Sequence, residues 1–196
     1  GKDAEFDDWY ENQHVPDLLE IPGYYAAQRF RLAEPGSFSH SRLVIWHVEG
    51  DRELSQRYVM EALQTGKTRR SDAFDWAPGA ILFGQYEPIS ERVTNTSSGV
   101  EPDAKPPTGK RYVFFEFATP AAGKEMLFGA QAERRLRDVV TVSGWVSGQR
   151  YKNVAPAAPP ASGPGTPSSA TAVTTAPPRL PRYLTLYDVV AADSKA

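Results

Sequence analysis

The sequence predicts an α+β fold built from two copies of one unit in tandem. Three observations lead there: a repeated ungapped block, a second repeated block of strand character, and a helical pattern ahead of each first block. Residues 17–30 read DLLEIPGYYAAQRF and residues 138–151 read DVVTVSGWVSGQRY. Asp17, Gly23, Gln28 and Arg29 recur as Asp138, Gly144, Gln149 and Arg150. The changes between them keep physical type, as from Tyr24 to Trp145 and from Phe30 to Tyr151. Self-similarity at a constant offset is the mark of a duplicated supersecondary unit. After a gap, RLVIWHVEG at 42–50 parallels YLTLYDVVA at 183–191. Both are rich in the β-branched and aromatic residues that suit strands.

The first unit opens with a helix over residues 3–14, where Phe6, Trp9, Tyr10 and Gln13 fall at helical spacing. Asp3 is a candidate cap, and Asp7 and Asp8 suit the positive end of the helix dipole. Pro16 biases Val15 away from helical angles, so a boundary or kink is expected there, with a further turn through Leu18-Leu19 before Pro22-Gly23. Strands follow at 24–32 and 42–49, a helix at 52–64 with Leu54, Tyr58 and Leu63 on its apolar face, and a third strand at 80–87. The second unit supplies a strand at 110–118 and a helix at 121–140, with Met126, Leu127, Ala130 and Leu136 among its apolar positions. Strands at 144–152 and 183–191 complete it. Strand, helix, strand, strand, helix, strand is the ferredoxin-like order. The first copy lacks its opening strand, and the second lacks its last helix and strand. The pair therefore reads as clipped at both ends, or as completed by strands from a partner. The expected organisation is a first unit over 1–92, a linker over 93–109 and a second unit over 110–196. The Ala/Pro/Ser/Thr-rich stretch at 154–181 has a composition too polar to bury a core and reads as a disordered insertion.

Hydrophobic residues make up 40% of the 196, enough for a core, and the formal net charge is −2. Nucleic-acid binding calls for a basic stripe, which is absent. There are no cysteines, which removes disulfides and thiolate chemistry and suits a cytoplasmic location. No apolar run approaches the ~20 residues of a membrane helix. No phosphate-binding glycine loop or nucleophile elbow is present.

Of three histidines, His40 lies in a turn-rich segment and His47 on a strand, where its counterpart is Asp188. His14 closes a helix carrying Trp9 and Tyr10, with Tyr10 four residues and Glu11 three residues before it, so both are neighbours on a helix surface. An imidazole among aromatics with a nearby carboxylate can have its pKa moved and can shuttle protons near neutrality. Arg29 recurs as Arg150, which points to a framework role such as an ion pair with Asp17 and Asp138. Glu11-x-x-His14 has the spacing of a metal pair, but no second such motif exists, so no metal site is expected. A haem would need an axial ligand, which His14 or His47 can offer and nothing selects.

The run WYENQHVPDLLEIPGYYAAQRF resembles the EthD-like branch of the dimeric α/β-barrel superfamily, in its Trp-Tyr, its His-x-Pro and the Pro-Gly that precedes a strand. The resemblance covers residues 3–50 and, more weakly, 110–152 and 183–191. It implies paired ferredoxin-like units whose sheets join into a barrel, here a pseudo-dimer within one chain that can itself pair as a homodimer. It further implies a cofactor-free lyase, isomerase or monooxygenase acting on a small apolar or aromatic compound; other members bind haem. The motif's histidine falls on His14, as a proton-transfer group. Trp9, Tyr10, Tyr25, Arg29 and Trp46 become candidates for lining the substrate pocket. The second unit departs from the motif, with Arg135 where the histidine would stand. The competing expectation is a non-catalytic small-molecule-binding or assembly module.

Overall fold

The first helical run is longer than its amino-terminal pattern alone requires. In the computed structural model, which describes residues 2–34, 36, 40–74, 80–99, 111–154 and 180–190, α1 spans Asp3–Trp9, a π-helical turn spans Tyr10–His14, and α2 spans Val15–Leu19. Pro16 does not end the run. It lies in the first turn of α2, at the joint with the π-turn, where the Val15 N–H donates to the Tyr10 carbonyl five residues back. Asp3 does not cap the helix, contrary to expectation: it is already helical, and its carboxylate accepts from Arg42 at 2.8 Å.

The chain divides into two compact units, Gly1–Leu82 and Phe83–Ala196. In the first, β1 (Tyr24–Arg31) and β2 (Arg42–Val48) form an antiparallel hairpin, followed by α3 (Arg52–Gln64). The Asp51 carboxylate caps α3 by accepting from the Leu54 N–H at 3.0 Å. The buried side of α3 is Ser55 and Ala62. Ala62 joins Leu18 and Ile21 in the core, with Tyr24, Trp46, Tyr58 and Val59 packed against them. Leu54 and Leu63, expected on the apolar face, are only half-buried. Small residues on that side let the helix approach the turn at Gly23. This glycine has φ +94°, and a Cβ there would lie 2.6 Å from Ser55 Oγ and 2.9 Å from the Glu49 carbonyl.

The strand expected over 80–87 is displaced. Residues 81–85 are not extended in a sheet, and Tyr86–Pro88 (β3) pairs with the second unit's sheet. Inside the expected linker, Val93–Thr94 forms β4 on the same strand edge. The remaining strands are β5 (Arg111–Ala118), β6 (Trp145–Asn153) and β7 (Tyr183–Val190), with α4 (Glu125–Val140) after β5. The sheet order is β3-β6-β7-β5, antiparallel throughout, with β4 also on β6. β5 and β6 therefore run parallel on either side of β7, joined by α4, a split β–α–β arrangement. Met126 and Leu127 are exposed, at 89% and 56%, so the apolar face of α4 differs from expectation. Its inward side is Leu136 and Val140, which pack on Tyr187. Gly148 makes room: a Cβ there would sit 2.5 Å from Leu136 Cδ1 and 2.9 Å from Tyr187 Cδ1. The stretch expected as an insertion over 154–181 lies, apart from its ends, outside the described residues, as do 100–109. Among the described residues no helix is long and apolar enough to cross a membrane.

The two units repeat in hydrogen-bonding detail. Ile21 N–H to Leu18, Tyr24 N–H to Ile21 and Glu49 N–H to Gly23 recur as Val142 to Val139, Trp145 to Val142 and Val190 to Gly144. Both hairpins carry a register shift at the same place, Tyr24/Ala26 and Trp145/Ser147. Arg29 opposes Val44 as Arg150 opposes Thr185. Even an aromatic pair repeats with its members exchanged: Tyr24 meets Trp46 edge-on at 5.8 Å, and Trp145 meets Tyr187 edge-on at 5.1 Å.

The ion pairs depart from expectation. Arg29 contacts not Asp17 but Asp7 at 2.6 Å and Glu11 at 3.6 Å. Asp7 also holds Arg42 at 3.0 Å and Arg31. Arg150 bonds Glu133 and the Gly129 carbonyl, and Asp17 pairs with Arg69 at 3.4 Å. Arg42 foremost, with Arg29 and Arg31, lowers the Asp7 pKa from 3.8 to about 2. A lowered carboxylate pKa stabilises the fold above the unfolded value and loses that stability as the carboxylate protonates. The contribution of Asp7 is thus complete above pH 3.8 and disappears as pH falls through about 2. Asp7→Asn should cost about 1–2 kcal/mol in low salt, discounted for the partial exposure of the cluster. Urea unfolding at several NaCl concentrations checks this: the cost should shrink with salt.

Candidate functional site

His14 sits at the end of the π-turn, in a cage of aromatic rings. Trp9 stacks on it at 4.8 Å between centroids and 26° between planes. Tyr10 meets it at 4.7 Å and 68°, and Trp46 of β2 edge-on at 6.2 Å. Trp9 and Tyr10 are each only 8% exposed. The stack on Trp9 depends on local backbone geometry. Side chains three or four apart are neighbours on an α-helix, whereas five apart they point about 140° away from each other at 100° per residue. The wider π-turn brings positions 9 and 14 together.

The cage is pinned from outside. The Trp9 indole N–H donates to the Arg69 carbonyl at 3.2 Å, and the Arg69 N–H donates to the Asp17 carboxylate at 3.2 Å. Phe74 stacks on Phe6 at 5.6 Å, beside Trp9. Nδ1 of His14 is buried and has no hydrogen-bond partner among the described residues. Burial lowers the His14 pKa below 6.5, against a smaller opposing effect of the Asp17 charge. The ring is therefore neutral at pH 7 and can accept a proton. Burial raises the Tyr10 phenol above its ordinary value, with the Trp46 indole and the Arg29 charge pulling the other way. Tyr10 thus stays protonated and can donate.

Of the residues expected in a pocket, Trp9, Tyr10 and Trp46 do surround His14. Arg29 touches this set indirectly, its guanidinium lying 4.8 Å from the centre of the Tyr10 ring while its charge is spent on Asp7 and Glu11. Tyr25 is not brought there. It is 59% exposed, and its ring lies 5.8 Å from that of His47. Asp17 and Arg69 were not singled out as site residues in the sequence, because Arg69 reaches the cage only through a loop contact 52 residues away.

The second unit is furnished differently. A small cleft lies between α4 and the sheet, lined by Glu116, Phe128, Ala132, Arg135, Thr185 and Tyr187 among others. Arg135 pairs with Glu116 at 3.0 Å, and the Tyr187 hydroxyl donates to Glu116 at 3.4 Å. The described residues contain no group of three or more His, Asp or Glu placed to hold a metal ion. Comparison with family models, with curated proteins and with solved structures finds no match.

Proposed function

We propose that the first unit carries the activity, as a cofactor-free lyase, isomerase or monooxygenase acting on a small apolar or aromatic compound, with His14 as general acid/base. One observation carries this reading: a desolvated imidazole whose Nδ1 has no hydrogen-bond partner among the described residues stands where the second unit has ordinary core. A buried polar atom without a partner costs about 1–3 kcal/mol, so a fold that holds one in place of an available apolar residue invites a functional explanation. Neutral His14 would take a proton from an acidic C–H or O–H of the substrate. The apolar cage disfavours the resulting imidazolium and returns the proton readily, while the face of the stacked Trp9 ring offsets part of that penalty. Tyr10 would orient a carbonyl or phenolate oxygen. The EthD-like resemblance and the tandem ferredoxin-like barrel it implies agree with the split β–α–β of the second unit and with the repeated hairpin.

The test is a thermal-shift screen with phenols and small hydrophobic carboxylic acids, since a ligand of the native state raises apparent stability. Hits are then followed for conversion by mass spectrometry. A compound should be found that the native chain converts and His14→Gln binds but leaves unchanged. Equal conversion by both would refute the role of His14. A second reading, a non-catalytic small-molecule-binding or assembly module, is favoured by the second unit's cleft, which has no imidazole. It expects binding without conversion, unaffected by His14→Gln.

A further inference from the structure

The two units are out of step by one residue along their first helices. Behind the helix, the turn bonds fix an offset of 121, matching Leu18 with Val139 and Ile21 with Val142. Within it, three contacts fix an offset of 122. Arg29 NH1 bonds the Asp7 carbonyl as Arg150 NH1 bonds that of Gly129. Arg29 meets Glu11 at 3.6 Å as Arg150 meets Glu133 at 3.4 Å. The Arg29 guanidinium lies 6.0 Å from the Phe6 ring, and that of Arg150 lies 5.9 Å from the Phe128 ring. The first unit therefore holds one extra residue between Glu11 and Leu18, and the π-turn Tyr10–His14 overlaps that interval. A π-turn is how an α-helix houses a single added residue, and such turns recur at functional sites.

We propose that this one-residue insertion is a positioning element, which carries His14 from a cleft-facing place to the sheet-facing core stripe; the inference rests on reading His14 as the working group. Counted from the turn, His14 would match Arg135, whose side chain is 64% exposed. Counted from the Arg29 contacts, it matches Leu136, which is 0% exposed. The observed packing follows the second count. Tyr10 and His14 stand four residues apart like Ala132 and Leu136. His14 meets Trp46 as Leu136 packs on Tyr187, the matching residue of the other hairpin. One residue of an α-helix is about 100° of rotation, enough to exchange solvent for core. The extra residue thus converts a surface position into a caged one without altering either flank.

Deleting Asn12 tests this. Asn12 is exposed, and its side-chain amide donates to the Asp8 carboxylate at 2.8 Å. The deletion restores α-helical register and would place Pro16 inside a regular helix, where it clashes with the carbonyl four residues back. It is therefore combined with Pro16→Ala, and Pro16→Ala alone serves as the control. The readout is the His14 titration followed by imidazole NMR, with Tyr10 and Asp17 the titratable groups beside the ring. Pro16→Ala should keep the midpoint below 6.5, and the deletion variant should bring it back to about that ordinary value. A midpoint that stays depressed in the deletion variant overturns the proposal, as does one already released by Pro16→Ala. Failure of the deletion variant to fold also overturns it, because α4 builds the same framework without the extra residue. If the midpoint moves as stated but no compound in the screen is converted, the enzymatic reading fails and the positioning role stands.

Discussion

Arg111→Ala should destabilise the second unit by about 3–5 kcal/mol, the largest loss expected from any single substitution described here. The Arg111 guanidinium bonds both carboxylate oxygens of Asp188, with side chains 12% and 8% exposed. Truncating the arginine strands a carboxylate that β7 has already taken out of water. The complementary double change, Arg111→Met with Asp188→Leu, removes both charges and should recover most of the loss, since a buried pair replaced by apolar groups is often neutral or better. Guanidinium denaturation of the two variants separates the cost of a stranded charge from that of lost packing. Equal destabilisation of both variants would show that packing, not charge, dominates.

His14→Leu should do the opposite to the first unit. It places in the core stripe the residue that the second unit uses there, Leu136. It also removes a buried nitrogen that has no partner among the described residues. The expected gain is about 1 kcal/mol, the low end for an unsatisfied polar atom because the ring is only half-buried, or roughly 4–8 °C in Tm for a unit of this size. The pH dependence should change as well. A histidine pKa lowered by burial stabilises the fold above the unfolded value and loses that contribution as pH falls through the folded one. The native chain should therefore weaken progressively below pH 6.5 in a way that His14→Leu does not. Thermal melts at pH 7.5 and 5.5 read both effects. Activity should be lost in the same variant, as expected where a functional group displaces a better core residue.

Much of the framework was legible because it depends on local chemistry that the repeat displays twice. Gly23 and Gly144 mark turns with positive φ, and the blocks at 42–50 and 183–191 pair in the same register. The strand at 80–87 was misplaced because an apolar run says that a strand can form, not which edge it will join. Here only Tyr86–Pro88 pairs, and with β6. The salt-bridge partners of Arg29 and Arg150 were misassigned for a similar reason. The recurrence of Asp17 as Asp138 beside that of Arg29 as Arg150 suggested contact, but reach across the helix selects Asp7, Glu11 and Glu133 instead. For the site, the neighbourhood of Tyr10 and His14 followed from helical spacing, and Trp9 and Trp46 entered through the EthD-like resemblance. The π-turn did not, although its signal was present: Phe6 and Glu11 match Phe128 and Glu133 only when the offset changes by one.

The central claim is that His14 stands as a neutral, caged base. Titrating its imidazole by NMR in the native chain tests that claim most directly, with His14→Gln fixing the assignment. A midpoint below 6.5 is the predicted result. A midpoint at or above 6.5 would mean that the ring is solvated or ion-paired, and the account of His14 as a desolvated base would be contradicted.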